Sequence, residues 1–73
     1  MVTYIINKHQ QLNGDFEIHR PDICPCPPEV EDQVYIGEFN NCREAYLTAV
    51  RKWPEYAKLI DGCKFCCPEC HQR

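Results

Sequence analysis

The alternation of apolar and polar positions divides the chain into short extended segments, one helix and a cysteine-rich end. Thr3-Tyr4-Ile5-Ile6 is β-branched and aromatic and predicts a strand. Asp15-Phe16-Glu17-Ile18-His19 alternates polar with apolar, as a half-buried strand does, with Phe16 and Ile18 facing the core. Asn13-Gly14 between them supplies the positive φ angles of a reversal, so the two strands form an antiparallel hairpin. Residues 20 to 33 hold four prolines and four acidic residues without periodicity and read as an irregular loop, in which Pro25 and Pro27 keep Cys24-Pro25-Cys26 extended. Val34 to Phe39 resumes as a third strand.

The clearest element follows. Asn41 is an N-cap, with Glu44 three residues later in a capping-box arrangement. Cys42, Ala45, Tyr46, Ala49, Val50 and Trp53 then recur at helical spacing as one apolar stripe, and Arg43, Thr48, Arg51 and Lys52 take the wet side. Arg51 and Lys52 suit the C-terminal end of the helix dipole, and Pro54 stops the helix or opens a second short one over residues 55 to 60. Asp61-Gly62 breaks the chain ahead of the cysteines. The expected fold is a small α+β domain spanning residues 1–73. It comprises an antiparallel hairpin and a third strand packed on one helix, closed by a C-terminal cysteine knuckle and stabilised by zinc.

Composition explains why such a fold needs a staple. A chain of 73 residues buries only about 60% of its unfolded surface, so disulfides, a metal or a partner must supplement its core. Seven cysteines can serve either of the first two. The odd number leaves one thiol unpaired in an oxidised monomer. The start, Met1 to Ile6, lacks a basic region and its apolar stretch ends at Asn7, so a cytoplasmic location is expected, where thiols stay reduced and metal is favoured. Five metal-capable residues crowd into the last turns: Cys63, Cys66, Cys67, Cys70 and His71. Cysteines separated by two residues are the usual chelating unit of zinc sites. Cys63/Cys66 and Cys67/Cys70 both have that separation, and spacing alone does not choose between them. A second group, His19, Cys24 and Cys26, can supply the remaining ligands.

Charge narrows the partners. Eight basic residues against eleven acidic ones leave a net charge of −3, and the basic residues are scattered. That is a poor footprint for nucleic acid, whose affinity depends on phosphate neutralisation. No apolar run approaches the about 20 residues that span a bilayer. No pair of carboxylates, and no nucleophile with a base, stands at a spacing that argues for catalysis.

The order His19…Cys24, then Phe39-Asn40-Asn41-Cys42-Arg43-Glu44-Ala45, then Gly62-Cys63-Lys64-Phe65-Cys66 resembles a family of small zinc-binding domains. That family includes the zinc domain of the bacterial Ada methyl-phosphotriester repair protein and the tail domains of some thermonuclease-like proteins. The resemblance covers residues 19 to 66 as a spaced pattern and implies zinc held by His19, Cys24, Cys63 and Cys66. Cys67, Cys70 and His71 have no counterpart in it, and the stretch from Pro54 to Ile60 is longer than the pattern has. Three functions follow as expectations. The first is a structural zinc domain that binds another protein, with the free edge of the third strand available for a homodimer. The second, implied by the resemblance, is a zinc thiolate at Cys24 that accepts a methyl group or serves a DNA-associated domain. The third is thiol redox or metal handling through Cys67-Pro68-Glu69-Cys70. Cys42 reads as a small buried hydrophobe of the helix stripe.

Overall fold

A computed structural model describes residues 1–72. Four strands form one mixed sheet in the order β3-β1-β2-β4, with β1 spanning Val2–Asn7, β2 Phe16–His19, β3 Gln33–Phe39 and β4 Ile60–Gly62. A single α-helix, α1 (Cys42–Lys52), packs across the sheet, and three 3-10 turns cover Val30–Asp32, Pro54–Leu59 and Pro68–Cys70. The chain is a small α+β fold, as the pattern predicts.

The hairpin forms where the sequence places it. β1 and β2 pair antiparallel with Ile5 opposite His19 and Ile6 opposite Ile18. Gly14 takes a φ of +93° in the connection, a conformation that residues with a Cβ rarely adopt. Ile18 is fully buried, whereas Phe16 is half-buried and packs its ring on Tyr56, with centroids 5.3 Å apart. β3 pairs with the other side of β1 and carries an irregularity where Tyr4 faces Gly37 and Ile5 faces Tyr35, which leaves Ile36 as the extra residue of a bulge. Lys52, in the last turn of α1, donates from Nζ to the Ile36 carbonyl at 3.1 Å.

The helix begins and ends on the expected residues. The Asn41 side chain accepts from the Glu44 amide at 3.0 Å, and Glu44 reaches back to the Asn40 amide at 3.2 Å. Cys42, Ala45 and Ala49 are fully buried, and Tyr46, Val50 and Trp53 pack at the margin of the same core with Tyr4, Ile6, Ile18, Ile36 and Ile60.

Two features depart from the sequence reading. Asp61-Gly62, expected to break the chain, and Ile60, expected to end the second short helix, form β4, a three-residue strand parallel to β2 with Phe16 facing Ile60, Glu17 facing Asp61 and Ile18 facing Gly62. Three residues are too few to show a period, so the pattern gave no sign of it. Cys42 is buried as expected, but it is joined to Cys70 by a disulfide with the Cα atoms 6.4 Å apart. The Cys42 end of the helix stripe therefore faces the C-terminal knuckle.

Gly62 is where these features meet. A Cβ there would stand 2.7 Å from the Cys70 Cβ, 2.8 Å from the Cys67 carbonyl oxygen and 3.0 Å from the Cys70 carbonyl carbon. Two of the three are backbone atoms and the third is fixed by the disulfide, so none can swing aside. Gly62→Ala is expected to destabilise the protein by about 1–3 kcal/mol through overpacking, measured by urea unfolding; a change within 0.5 kcal/mol would refute the close approach.

Candidate metal centre

The parallel pairing of β2 and β4 brings the two distant ligand groups together. Because the strands run in the same direction, their C-terminal ends are neighbours, and Ile18 lies opposite Gly62. The next residue on each strand is His19 and Cys63, and the Cys63 amide donates to the Ile18 carbonyl at 3.0 Å. Each strand then enters a tight turn. After β2, the Cys24 amide returns to the Arg20 carbonyl at 2.9 Å, which folds the Cys24 thiol back over His19. After β4, the Cys67 amide returns to the Cys63 carbonyl at 2.7 Å, which brings Cys66 round to the same point.

His19, Cys24, Cys63 and Cys66 thus converge, all four buried, with one N or S atom from each lying within 4.8 Å of all the others. The Nδ1 atom of His19 is 3.4 Å from Sγ of Cys24 and 3.8 Å from Sγ of Cys66, and Sγ of Cys24 is 3.9 Å from Sγ of Cys63. A tetrahedral ion with metal–sulfur bonds of about 2.3 Å and metal–nitrogen bonds of about 2.0 Å requires edges of about 3.8 Å between sulfurs and about 3.6 Å between sulfur and nitrogen. These three separations are close to tetrahedral edges and far exceed a disulfide bond of about 2.05 Å.

The sulfurs are also served as thiolates would be. Sγ of Cys66 accepts the Arg20 amide at 3.3 Å. The backbone amides of Cys66 and Phe65 near Cys63, and that of Cys26 near Cys24, favour the charged form of those sulfurs. Backbone N–H groups aimed at sulfur stabilise negative charge there. Without a cation the burial works in the opposite direction. It pushes the Cys24 thiol up to about 12 and raises Cys63, and Cys66 is raised by the adjoining Cys67 thiol and by burial. Burial lowers the His19 imidazole, which keeps the ring neutral and its lone pair available. Three sulfurs and one imidazole suit a borderline or soft ion. The site can hold a metal ion.

The remaining candidates lie elsewhere. Cys70 is bonded to Cys42, so Cys67 and Cys70 are not joined as a redox couple, and Cys67 is a buried free thiol beside Cys66. Nδ1 of His71 sits 3.0 Å from the Gly62 carbonyl and 3.3 Å from the Asp61 carboxylate. Cys26 is exposed. A polar cleft of about 470 Å³ runs past the cluster and is lined by Glu17, His19, Cys26, Cys63, Lys64 and His71, among others. The sequence reading missed two carboxylates near the site. Asp61 is buried and accepts the Gln72 amide at 2.8 Å, and Glu17 stands 3.6 Å from Nε2 of His19. The position of Glu17 was open to inference, since a residue two before His19 on a strand shares its face.

Comparison with known protein families, curated proteins and solved structures returns no match. The geometry of the cluster therefore carries the functional reading.

The raised thiols give opposite pH responses with and without metal. In the metal-free fold they stay neutral while the unfolded chain begins to ionise near the ordinary thiol value of 9.0. The folded state then binds more protons, so metal-free stability is complete below that value and declines as pH rises toward about 12. A bound cation holds the sulfurs as thiolates and is lost to proton competition, so metal-dependent stability declines as pH falls. Calorimetric melts with and without metal should diverge in this way; parallel pH profiles would refute it.

Proposed function

We propose that the chain is a structural zinc-binding domain in which His19, Cys24, Cys63 and Cys66 hold one Zn²⁺, and that its surface serves to bind another protein. The observation that carries the zinc reading is the convergence of four buried ligand atoms within 4.8 Å of one another, with three of their separations between 3.4 and 3.9 Å, close to those that tetrahedral zinc requires. Four protein ligands close the coordination shell and leave no position for substrate, which is the arrangement of a structural site. Zinc would supply charge compensation for three buried thiolates and tie the ends of β2 and β4 together. Because an unfolded chain offers no such cage, binding energy is folding energy, on the order of 10 kcal/mol.

Surface binding is supported by what the fold leaves uncovered. Leu12, Val30 and Phe65 are each well over half exposed, and Phe65 is carried on the turn between two cysteines of the site. A metal-fixed turn presents such a side chain rigidly, which reduces the ordering cost of association. The scattered basic residues still argue against nucleic acid as the partner. Among the described residues no helix is long and apolar enough to cross a membrane. Five of the cysteines are free thiols, which favours a reducing, cytoplasmic setting, while the Cys42–Cys70 bond weighs the other way.

Native mass spectrometry should find one zinc per chain. Serine at Cys24, Cys63 or Cys66 should abolish it, and serine at Cys26 or Cys67 should not. Chelation should lower the melting temperature steeply; circular dichroism and a melting temperature indifferent to chelator would overturn the assignment.

Phe65→Ser tests the surface reading from the side of stability. Its expected effect is within about 0.5 kcal/mol, as for an exposed residue, and a loss of the size seen at core positions would show that Phe65 is retained for folding instead.

A further inference from the structure

The cage uses one nitrogen of His19 and leaves the other unexplained. Nδ1 faces the sulfurs, while Nε2 is buried and has no hydrogen-bond partner. A ring that gives its Nδ1 lone pair to a metal carries its proton on Nε2, so this atom becomes a buried donor. A buried donor with no acceptor is unfavourable.

A carboxylate oxygen, Oε1 of Glu17, stands 3.6 Å from Nε2. Both residues lie on β2, two positions apart, and so project from one face of the sheet. The Glu17 side chain is 22% exposed and lines the cleft together with His19 and Cys63, which gives its torsions room to close the gap to a hydrogen bond of about 2.9 Å. Asp61, which faces Glu17 on β4, already accepts the Gln72 amide and stands against His71. Its carboxylate is committed to the C-terminal segment, and that of Glu17 is left to His19.

We propose that Glu17 is a positioning residue of the metal centre, accepting the Nε2–H of His19 and so fixing the tautomer and ring orientation that present Nδ1 to the ion. This rests on the zinc reading above. A carboxylate behind a metal-bound imidazole holds the ring and raises its basicity, and loss of such a partner weakens metal binding by about ten- to a hundred-fold. Nothing in the amide-to-sulfur bonds replaces it, because those act on the other three corners.

The test is zinc affinity by chelator competition in the full chain, with ¹⁵N NMR of the His19 ring in the zinc-loaded protein. Glu17→Ala should lose about ten- to a hundred-fold in affinity and show faster solvent exchange of the Nε2 proton. Glu17→Gln keeps an acceptor oxygen and the side-chain volume and should recover part of both. In a His19→Cys background, where no ring remains to be held, Glu17→Ala should have no effect on affinity; this separates positioning from a general contribution to folding. Wild-type affinity and an unchanged ring proton in Glu17→Ala would overturn the positioning role and leave the zinc site standing. A wild-type chain that takes up no zinc would overturn both.

Discussion

The fold depends on crowding three thiols and an imidazole into one buried point where two parallel strands end. Either protonation state of the sulfurs is unfavourable there on its own. Neutral thiols leave the directed amides with weak acceptors, and thiolates place like charges less than 4 Å apart in a medium of low polarity. A cation of charge +2 would resolve both, since it would compensate the charge and could bond all four atoms at once. In a core whose apolar members are mainly isoleucines and alanines, such an interaction is large beside any single packing contact. Helix, hairpin and bulge can be read as the means of holding β2 and β4 in register so that these four side chains meet.

Much of the local structure was legible in the sequence because it follows from short-range chemistry. Asn41 and Glu44 cap the helix as their spacing indicates, the apolar stripe from Cys42 to Ala49 is the buried one, and Gly14 supplies a positive φ in the hairpin connection, although Asn13 does not share it. The long-range features were not legible. β4 is too short to display alternation, and its direction relative to β2 is settled only by where the helix returns the chain. The pairing of Cys42 with Cys70 depends on the same return, and no spacing rule reports it. For the cysteines the sequence supplied two equal chelating pairs. The fold separates them physically: Cys63 and Cys66 stand at the end of β4 beside His19, and Cys70 is drawn away to the helix. The part played by Gly62 also differs from expectation. The pattern predicts a chain break there, and Gly62 instead continues β4 and leaves the gap into which the following knuckle fits.

Metal cage and disulfide share the C-terminal knuckle but brace different directions. A metal in the cage would tie residues 63 to 66 to the end of β2, and the disulfide ties residue 70 to the start of α1. Asp61 adds a polar brace by accepting from Gln72 and standing against His71. A segment with little apolar surface of its own is thereby held on three sides.

The lysine that reaches from the helix to the bulge has a bearing on assembly. An outer strand offers its unpaired carbonyls and amides to any extended peptide, including one from an identical chain. On β3 that offer is interrupted at its midpoint: the Ile36 carbonyl is already taken by Lys52, and the bulge twists the strand there. A visiting strand could align with only a few residues on either side before meeting a charged side chain that it would have to displace. A strand added along this edge would therefore meet an irregular backbone and a carbonyl already in use.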